Sequence, residues 1–348
     1  LNFLEKYLNE DFKRIEDSRD INPMITANWN QGGGWNEFCP GNSVVGCVAV
    51  AMAQVMYYWE YPLQGDGYSQ YYDPMHGIIS VNFEDHFYDF DNMFDDYPTM
   101  DSQLLLYHSG VAVHMDYSPW ASGASVCWEG PSAQDALDNH FGYNDMVTCE
   151  VKLNYTDEEW ESLIKNQLDR GWPIVYRGYS EDAGHAWNMD GYQDNYYHCN
   201  WGWGGSANGY FYFDNLNGGG YNFIDNQAAL LNIIPENILE PTALFDFTVN
   251  HLDVFFNDLS DIVNEDEIEY WQWNFGDGNI SYEHFPLHTY ENYGEYEISL
   301  IVTNEFGLSS QPHIENLNLF NLTGDINNDN YVDVIDVVSL VNIVLSDN

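Results

Sequence analysis

The stretch Gly46-Cys47-Val48-Ala49-Val50-Ala51-Met52-Ala53-Gln54-Val55-Met56 sets one cysteine between a glycine and a run of small and apolar residues. Val48, Met52, Val55 and Met56 recur at helical spacing, so the run predicts a buried helix with Cys47 on its first turn. Free backbone N–H groups and the positive end of a helix favour thiolate over thiol there, and the thiolate is the nucleophilic form. A lone cysteine in such a helix is most often only a small buried side chain. Its meaning therefore depends on the residues elsewhere in the chain that can work with it.

The 348 residues allow two or three domains and a sizeable core. Aromatic residues make up 17%, which argues against disorder. Eight Lys and Arg stand against 56 Asp and Glu, for a formal charge of −48, and Arg177 is the last basic residue. Such a surface repels phosphate backbones and anionic membranes, which excludes nucleic-acid binding, and it suits Ca²⁺ or a salty medium. No apolar run reaches membrane-spanning length. Residues 1–20 lack the basic start and apolar centre of a signal peptide. The five cysteines, Cys39, Cys47, Cys127, Cys149 and Cys199, leave at least one free thiol or a bond to another chain. Up to two disulfides are compatible with export, with the pairing open.

Residues 1–21 carry Leu1, Leu4, Leu8, Phe12 and Ile15 at helical spacing and read as a first helix or the remnant of a pro-segment. Glycine-rich Asn28–Asn36 follows, where the backbone can pass close to another group. The cysteine helix ends near Tyr61-Pro62, and one strand is expected around 78–83. Helices are expected over 101–116 and 131–141, then from the capping box Thr156-Asp157-Glu158-Glu159 to Arg170. Beyond Gly171-Trp172-Pro173 the period becomes two, predicting antiparallel strands over 174–179, 185–192, 196–201 and 209–213. A helical half holding Cys47 and a sheet half holding His185 make an α+β domain over 22–234 with a cleft between the halves. A linker over 235–241 and an all-β sandwich over 242–320 follow.

Gly184-His185-Ala186-Trp187 heads one strand, and Asn200-Trp201-Gly202-Trp203-Gly204-Gly205 lies on the next. A hairpin of the two brings an amide and an indole beside the imidazole. Cysteine, histidine and an orienting amide are the parts of a thiol hydrolase: the histidine takes the thiol proton and the amide fixes the ring. Gln31 can supply an oxyanion donor beside the Cys47 N–H. The blocks Trp29-Asn30-Gln31, Cys39-Pro40, Gly46-Cys47-Val48-Ala49, Gln54-Val55-Met56-Tyr57-Tyr58 and Tyr61-Pro62 resemble the streptopain family of papain-like cysteine peptidases. Met115-Asp116-Tyr117-Ser118-Pro119, Ser122-Gly123-Ala124, Gly184-His185-Ala186 and Asn200–Gly205 continue the resemblance in order. It implies Cys47 as nucleophile, His185 as general base and acid, Gln31 in the oxyanion hole, Asn200 as the orienting amide and Trp201 against the histidine. It assigns Ser118, Ser122, Gly123 and Gly184 to the substrate cleft, and it implies no catalytic cofactor. Family members are secreted and made with an inhibitory pro-domain, so this chain is expected to be a mature or truncated form.

Trp273-Asn274-Phe275-Gly276-Asp277-Gly278 with Tyr290 and Glu297–Asn304 resembles a polycystic-kidney-disease (PKD) type domain, implying a spacer or substrate-binding module. In 321–348, Asp325, Asn327, Asp329, Tyr331, Asp333 and Asp336 stand at the ligand positions of an EF-hand-like Ca²⁺ loop, followed by a short helix from Val337 to Leu345. That segment resembles one of the two repeats of a type I dockerin. The expectation is a secreted endopeptidase acting on protein substrates, its tail docking a cohesin-like, matrix or self-association partner. A structural or assembly subunit built on a peptidase fold is the competing expectation.

Overall fold

The computed structural model describes residues 20–128, 130–261, 267–320, 326 and 334–346. The expected helix over 1–20 lies outside them except for Asp20. The chain divides into two compact units between Asn237 and Ile238, inside the expected linker. The Glu236 N–H donates to the Gly142 carbonyl, so the start of that stretch belongs to the first unit. Asn304 donates to the Leu239 carbonyl, so its end belongs to the second.

The first unit is built on helix α1 (Cys47–Trp59). Every residue from Val48 to Met56 is buried, so the helix is a central core rod rather than an amphipathic surface helix. Around it lie the hairpin β1 (Tyr68–Asp73) and β2 (Gly77–Asn82), helix α2 (Met100–Ala112) and helix α3 (Ala133–Phe141). The sequence shows only one strand in the 63–100 region. The second forms because the hairpin rests its buried positions on the helical core. Capping boxes at Thr99 and Ser132 start α2 and α3.

Next come β3 (Thr148–Val151) and helix α4 (Asp157–Asp169), capped by Thr156 and Glu159 as the sequence predicts. The strands β4 (Ile174–Tyr179), β5 (Gly184–Gln193), β6 (Tyr196–Asn200) and β7 (Gly209–Phe211) match the expected set. The short pair β8 (Asn217–Gly218) and β9 (Tyr221–Asn222) precedes β10 (Asp225–Leu231). The main sheet is antiparallel, in the order β3-β10-β4-β5-β6-β7. Val175, Ala186, Ala228 and Leu230 face α1, while Tyr176, Trp187, Ala229 and Leu231 face α4 through Trp160, Ile164 and Leu168. Both faces are covered, so β10 buries five residues in a row and shows no alternation to read. One disulfide forms, Cys127–Cys149, and Cys39, Cys47 and Cys199 are free thiols.

In the second unit a three-stranded sheet of β11 (Phe245–Asn250), β12 (Asp253–Asp258) and β15 (Leu287–Thr289) accompanies a four-stranded one. The latter contains β13 (Ile268–Asn274), β14 (Ile280–Ser281), β16 (Gly294–Asn304) and β17 (His313–Leu319). Phe245, Phe256, Trp273, Ile298, Leu300 and Val302 fill the core between them, as a small sandwich requires. Helix α5 (Val334–Ser346) starts three residues earlier than expected. Of the expected Ca²⁺ ligands, Asp325, Asn327, Asp329, Tyr331 and Asp333 lie outside the described residues; Asp336 is in α5. Among the described residues no helix is long and apolar enough to cross a membrane.

Candidate active site

Cys47 is the first residue of α1, and Gly46 is its N-cap with φ 92° and ψ 140°. A Cβ at Gly46 would stand 2.6 Å from Met115 Sδ and 3.3 Å from Ser122 Cβ. Only glycine meets both the backbone angle and the space, so Gly46 is what lets the chain turn sharply enough to present the thiol. We expect Gly46→Ala to lower stability by about 2 kcal/mol and kcat/KM at least tenfold. Urea titration and peptide hydrolysis check this, and wild-type values in both would reject it.

Three segments converge on this helix end. The Val45 N–H donates to the Gln31 carbonyl at 2.8 Å, setting Gln31 two residues upstream of the thiol on a neighbouring strand of chain. The Gln31 N–H in turn donates to Asn30 Oδ1. The Val44 N–H donates to the Ser118 carbonyl, and Ser122 Oγ bridges the loop by accepting from the Ser118 N–H and donating to the Val44 carbonyl. Thus Ser118 and Ser122 sit beside the cysteine, with Ser122 buried as a loop tie. A Cβ at Gly123 meets nothing within 4 Å, as a position facing open space should. From the sheet side, the Ala186 N–H reaches the Cys47 thiol, which puts the sulfur at the head of β5 directly after His185. Gly184 opens that strand, and a Cβ there would strike the Tyr179 ring at 2.7 Å.

His185 is buried in an aromatic box. Its ring stacks on Trp203 at 4.4 Å and lies 6.0 Å from Trp201, 6.1 Å from Trp187 and 5.3 Å from Phe223. Nε2 stands 2.9 Å from the Trp201 carbonyl oxygen. A carbonyl only accepts, so Nε2 carries the hydrogen and Nδ1 is left as the basic nitrogen. The ring thus meets the Trp201 main-chain oxygen rather than the Asn200 side chain, and both Trp201 and Trp203 stack on it, Trp203 more closely. Asn200 instead donates to the Ala27 carbonyl at 2.9 Å, and its Oδ1 accepts from the Gly202 N–H at 3.3 Å.

Asn200 belongs to a buried amide network that the sequence did not reveal. Gln54 on α1 donates to Ala27 O at 2.7 Å and approaches Asn200 Oδ1 at 3.3 Å. Asn188 on β5 donates to Gln54 Oε1 at 3.0 Å and to Ala51 O at 3.1 Å. All three side chains are buried. The network pins the cysteine helix to the two strands that carry His185 and its acceptor, so it fixes how the halves of the site meet. Gln54 follows Cys47 by seven residues, two helical turns on one face; that spacing was the available signal.

Burial pushes the Cys47 thiol up, against lowering contributions from the N–H groups of Ala186, Val48 and Cys47 itself. It also pulls the His185 imidazole down to about 4, while the Trp201 carbonyl acts the other way. Burial thus works against a charge on either group by itself. Proton transfer from sulfur to imidazole makes two opposite charges at once, and those same donors and that acceptor stabilise them. Cys39, raised to about 12 by burial, and Cys199 are buried and inert; Cys47 alone among the free thiols is partly exposed.

A helix-borne thiol facing a sheet-borne, carbonyl-oriented imidazole defines a papain-like thiol hydrolase site. The Peptidase C10 family model matches residues 29–211, and the chain belongs to that family. A PKD domain model matches residues 240–317. A streptopain of Streptococcus pyogenes is 31% identical over 226 residues, covering 58% of this chain and 55% of the streptopain. The thiol protease/hemagglutinin PrtT of Porphyromonas gingivalis is 29% identical over 246 residues, covering 64% and 28%. The structure of active wild-type Prevotella intermedia interpain A cysteine protease superposes with TM-score 0.57 at 33% identity, covering 62% of this chain and 95% of that one. The chain spans about half the length of the streptopains it matches.

Proposed function

We propose that this protein is a secreted cysteine endopeptidase that cleaves protein substrates through a thioester on Cys47. The observation that carries the reading is the Cys47 sulfur at a helix N-terminus, touched by the Ala186 N–H, beside an imidazole whose Nε2 is fixed by the Trp201 carbonyl. In the forward step His185 Nδ1 takes the thiol proton as sulfur attacks the peptide carbonyl. The Cys47 N–H and the Gln31 amide receive the developing oxyanion. The imidazolium then gives its proton to the departing amine, leaving the thioester. His185 next deprotonates a water that releases the acyl group, and the thiol is restored. The aromatic box strengthens these interactions by keeping water from the imidazole.

Ser118, Ser122, Gly123 and Gly184 flank this centre and are assigned to the substrate cleft. Export is supported by the Cys127–Cys149 disulfide and by the secreted character the family resemblance implies. The PKD domain is assigned a spacer or substrate-binding role, and the tail a Ca²⁺-dependent docking role toward a cohesin-like, matrix or second-copy partner. Supporting the latter, the Ile326 N–H donates to Asp336 at 2.8 Å, joining two ends of the Asp325–Asp336 segment. Catalysis itself needs no cofactor in this scheme.

The test is labelling by E-64, an epoxide that traps activated thiols. One equivalent should attach to reduced protein, at Cys47. A folded, reduced chain that takes up none would reject the reading and leave a structural subunit.

A further inference from the structure

We propose that Arg177 forms a carboxylate-binding subsite of the cleft, so that the enzyme selects substrates carrying a carboxylate close to the scissile bond. The inference rests on the peptidase reading and adds what the site recognises.

Placement comes from strand register. In the β4–β5 pair Arg177 stands opposite Ala186, and Gly178 opposite His185. Directly opposed residues project to the same face, with Cα atoms about 5 Å apart. Ala186 is the residue whose N–H reaches the Cys47 thiol. Val175, two residues before Arg177 on the same face, packs with Ala186 in the core around α1. The arginine therefore rises from the helix-facing side of the sheet, one strand from the dyad. A substrate strand advances about 3.3 Å per residue, so the reach of an arginine covers positions within roughly two residues of the scissile bond.

The described surroundings hold the guanidinium and include no anion paired with it. Its carbon lies 5.6 Å from the Trp128 ring and 5.8 Å from the Tyr179 ring. Nη1 donates to Tyr179 Oη at a long 3.4 Å, and the buried Nε has no hydrogen-bond partner. Among the described residues no carboxylate lies within ion-pair distance of Arg177, although Asp and Glu outnumber Lys and Arg 56 to 8 in the chain. By contrast, Lys152 is paired with Asp157. Aromatic rings stack on a guanidinium but leave its planar fork of N–H donors for a bidentate acceptor, and a carboxylate fits that fork. Trp128 is held rather than loose: the adjacent Cys127 is bonded to Cys149 on β3. At 55% exposure Trp128 can also be reached from solvent. An isolated cation in a strongly negative protein is a local attractor that a neutral side chain would not provide.

The carboxylate could be an Asp or Glu side chain or the free C-terminus of a peptide, and the test separates them. Internally quenched peptides with amidated ends, scanned with Glu against Gln at each position from three residues before the cut to two after it, read the first source. Matched peptides with free or amidated C-termini read the second. We expect at least a tenfold preference in kcat/KM for the carboxylate form at one position or at the terminus. Arg177→Gln should abolish the preference and Arg177→Lys retain part of it. Equal cleavage of every matched pair by wild type, or a preference that survives in Arg177→Gln, would overturn the proposal. Where Arg177→Gln fails to fold, Arg177→Met and the decline of the wild-type preference with salt serve instead. Turnover of the neutral peptides reports the peptidase reading separately. Calorimetric binding of the Glu and Gln peptides to Cys47→Ala reads the subsite without turnover, and equal affinities there would also overturn it.

Discussion

His185→Ala should lower kcat/KM for a peptide substrate by at least about 10³-fold and abolish stoichiometric E-64 labelling of Cys47. Two features make the loss so large. The Cys47 thiol is raised by burial, so without a base almost none of it is ionised at neutral pH. The imidazole is also the only described base at the head of β5 beside the Ala186 N–H. Burial pulls that imidazole down to about 4, which adds a pH signature. Wild-type activity should persist well below the ordinary histidine range and fall as the pH approaches about 4, where a protonated ring can no longer take the thiol proton. A substitution on the acceptor side offers a contrast. Asn200→Ala should leave that acid limb in place, because the ring is held by the Trp201 carbonyl, while reducing stability through the unpaired Ala27 carbonyl and Gln54 amide. An acid limb that moves in Asn200→Ala would restore the orienting role to its side chain.

The second large effect is on acid stability. His108 is buried against the Tyr88 hydroxyl at 2.8 Å and its imidazole is pulled down to about 3 by burial first and by His86 second. With His185 at about 4, two histidines stay neutral in the folded state where the unfolded chain, titrating near 6.5, has taken up protons. Folded-state values below the unfolded ones mean that stability rises with pH through the window from 4 to 6.5 and is lost as pH falls. With both groups contributing, the slope approaches about 2.7 kcal/mol per pH unit in the middle of that window. Asp73 adds loss at lower pH. Burial would raise its carboxyl, but N–H donors from Tyr117, His76 and Met75 hold it below the usual range. Urea unfolding followed by tryptophan fluorescence at a series of pH values measures the slope. His108→Gln should remove about one proton from it, and a flat profile between pH 6.5 and 4 would refute the assignment.

The sequence by itself is most informative where chemistry and local pattern coincide. The α1 helix was legible because Gly46 and the apolar run bracket Cys47, and α4 because Thr156 and Glu159 form a cap that needs no tertiary partner. The strands β4 to β7 are set off from one another by Gly, Asn and Asp turns. The first strand of the β1–β2 hairpin and the doubly covered β10 gave no such signal: β1 is set by the helical core its hairpin rests on, and β10 pairs with β3 and β4, far earlier in the chain.

At the site itself, the residue types were determined by sequence: a cysteine at a helix start, a histidine heading a strand, and an Asn-Trp-Gly-Trp turn after it. Which atom does what was decided only by packing. The side-chain amide that sequence order offered as the orienting group is drawn instead into a buried network with Gln54, Asn188 and the Ala27 carbonyl. A main-chain oxygen, which every residue carries and no motif can mark, took its place at His185. The same holds for the charges. The sequence establishes a strong acidic excess and counts the few cations. Only strand register and the neighbouring Trp128 and Tyr179 rings bring Arg177 beside the dyad and leave it without a carboxylate among the described residues. Composition fixes how many charges there are, but the long-range contacts that close the fold fix what each of them faces.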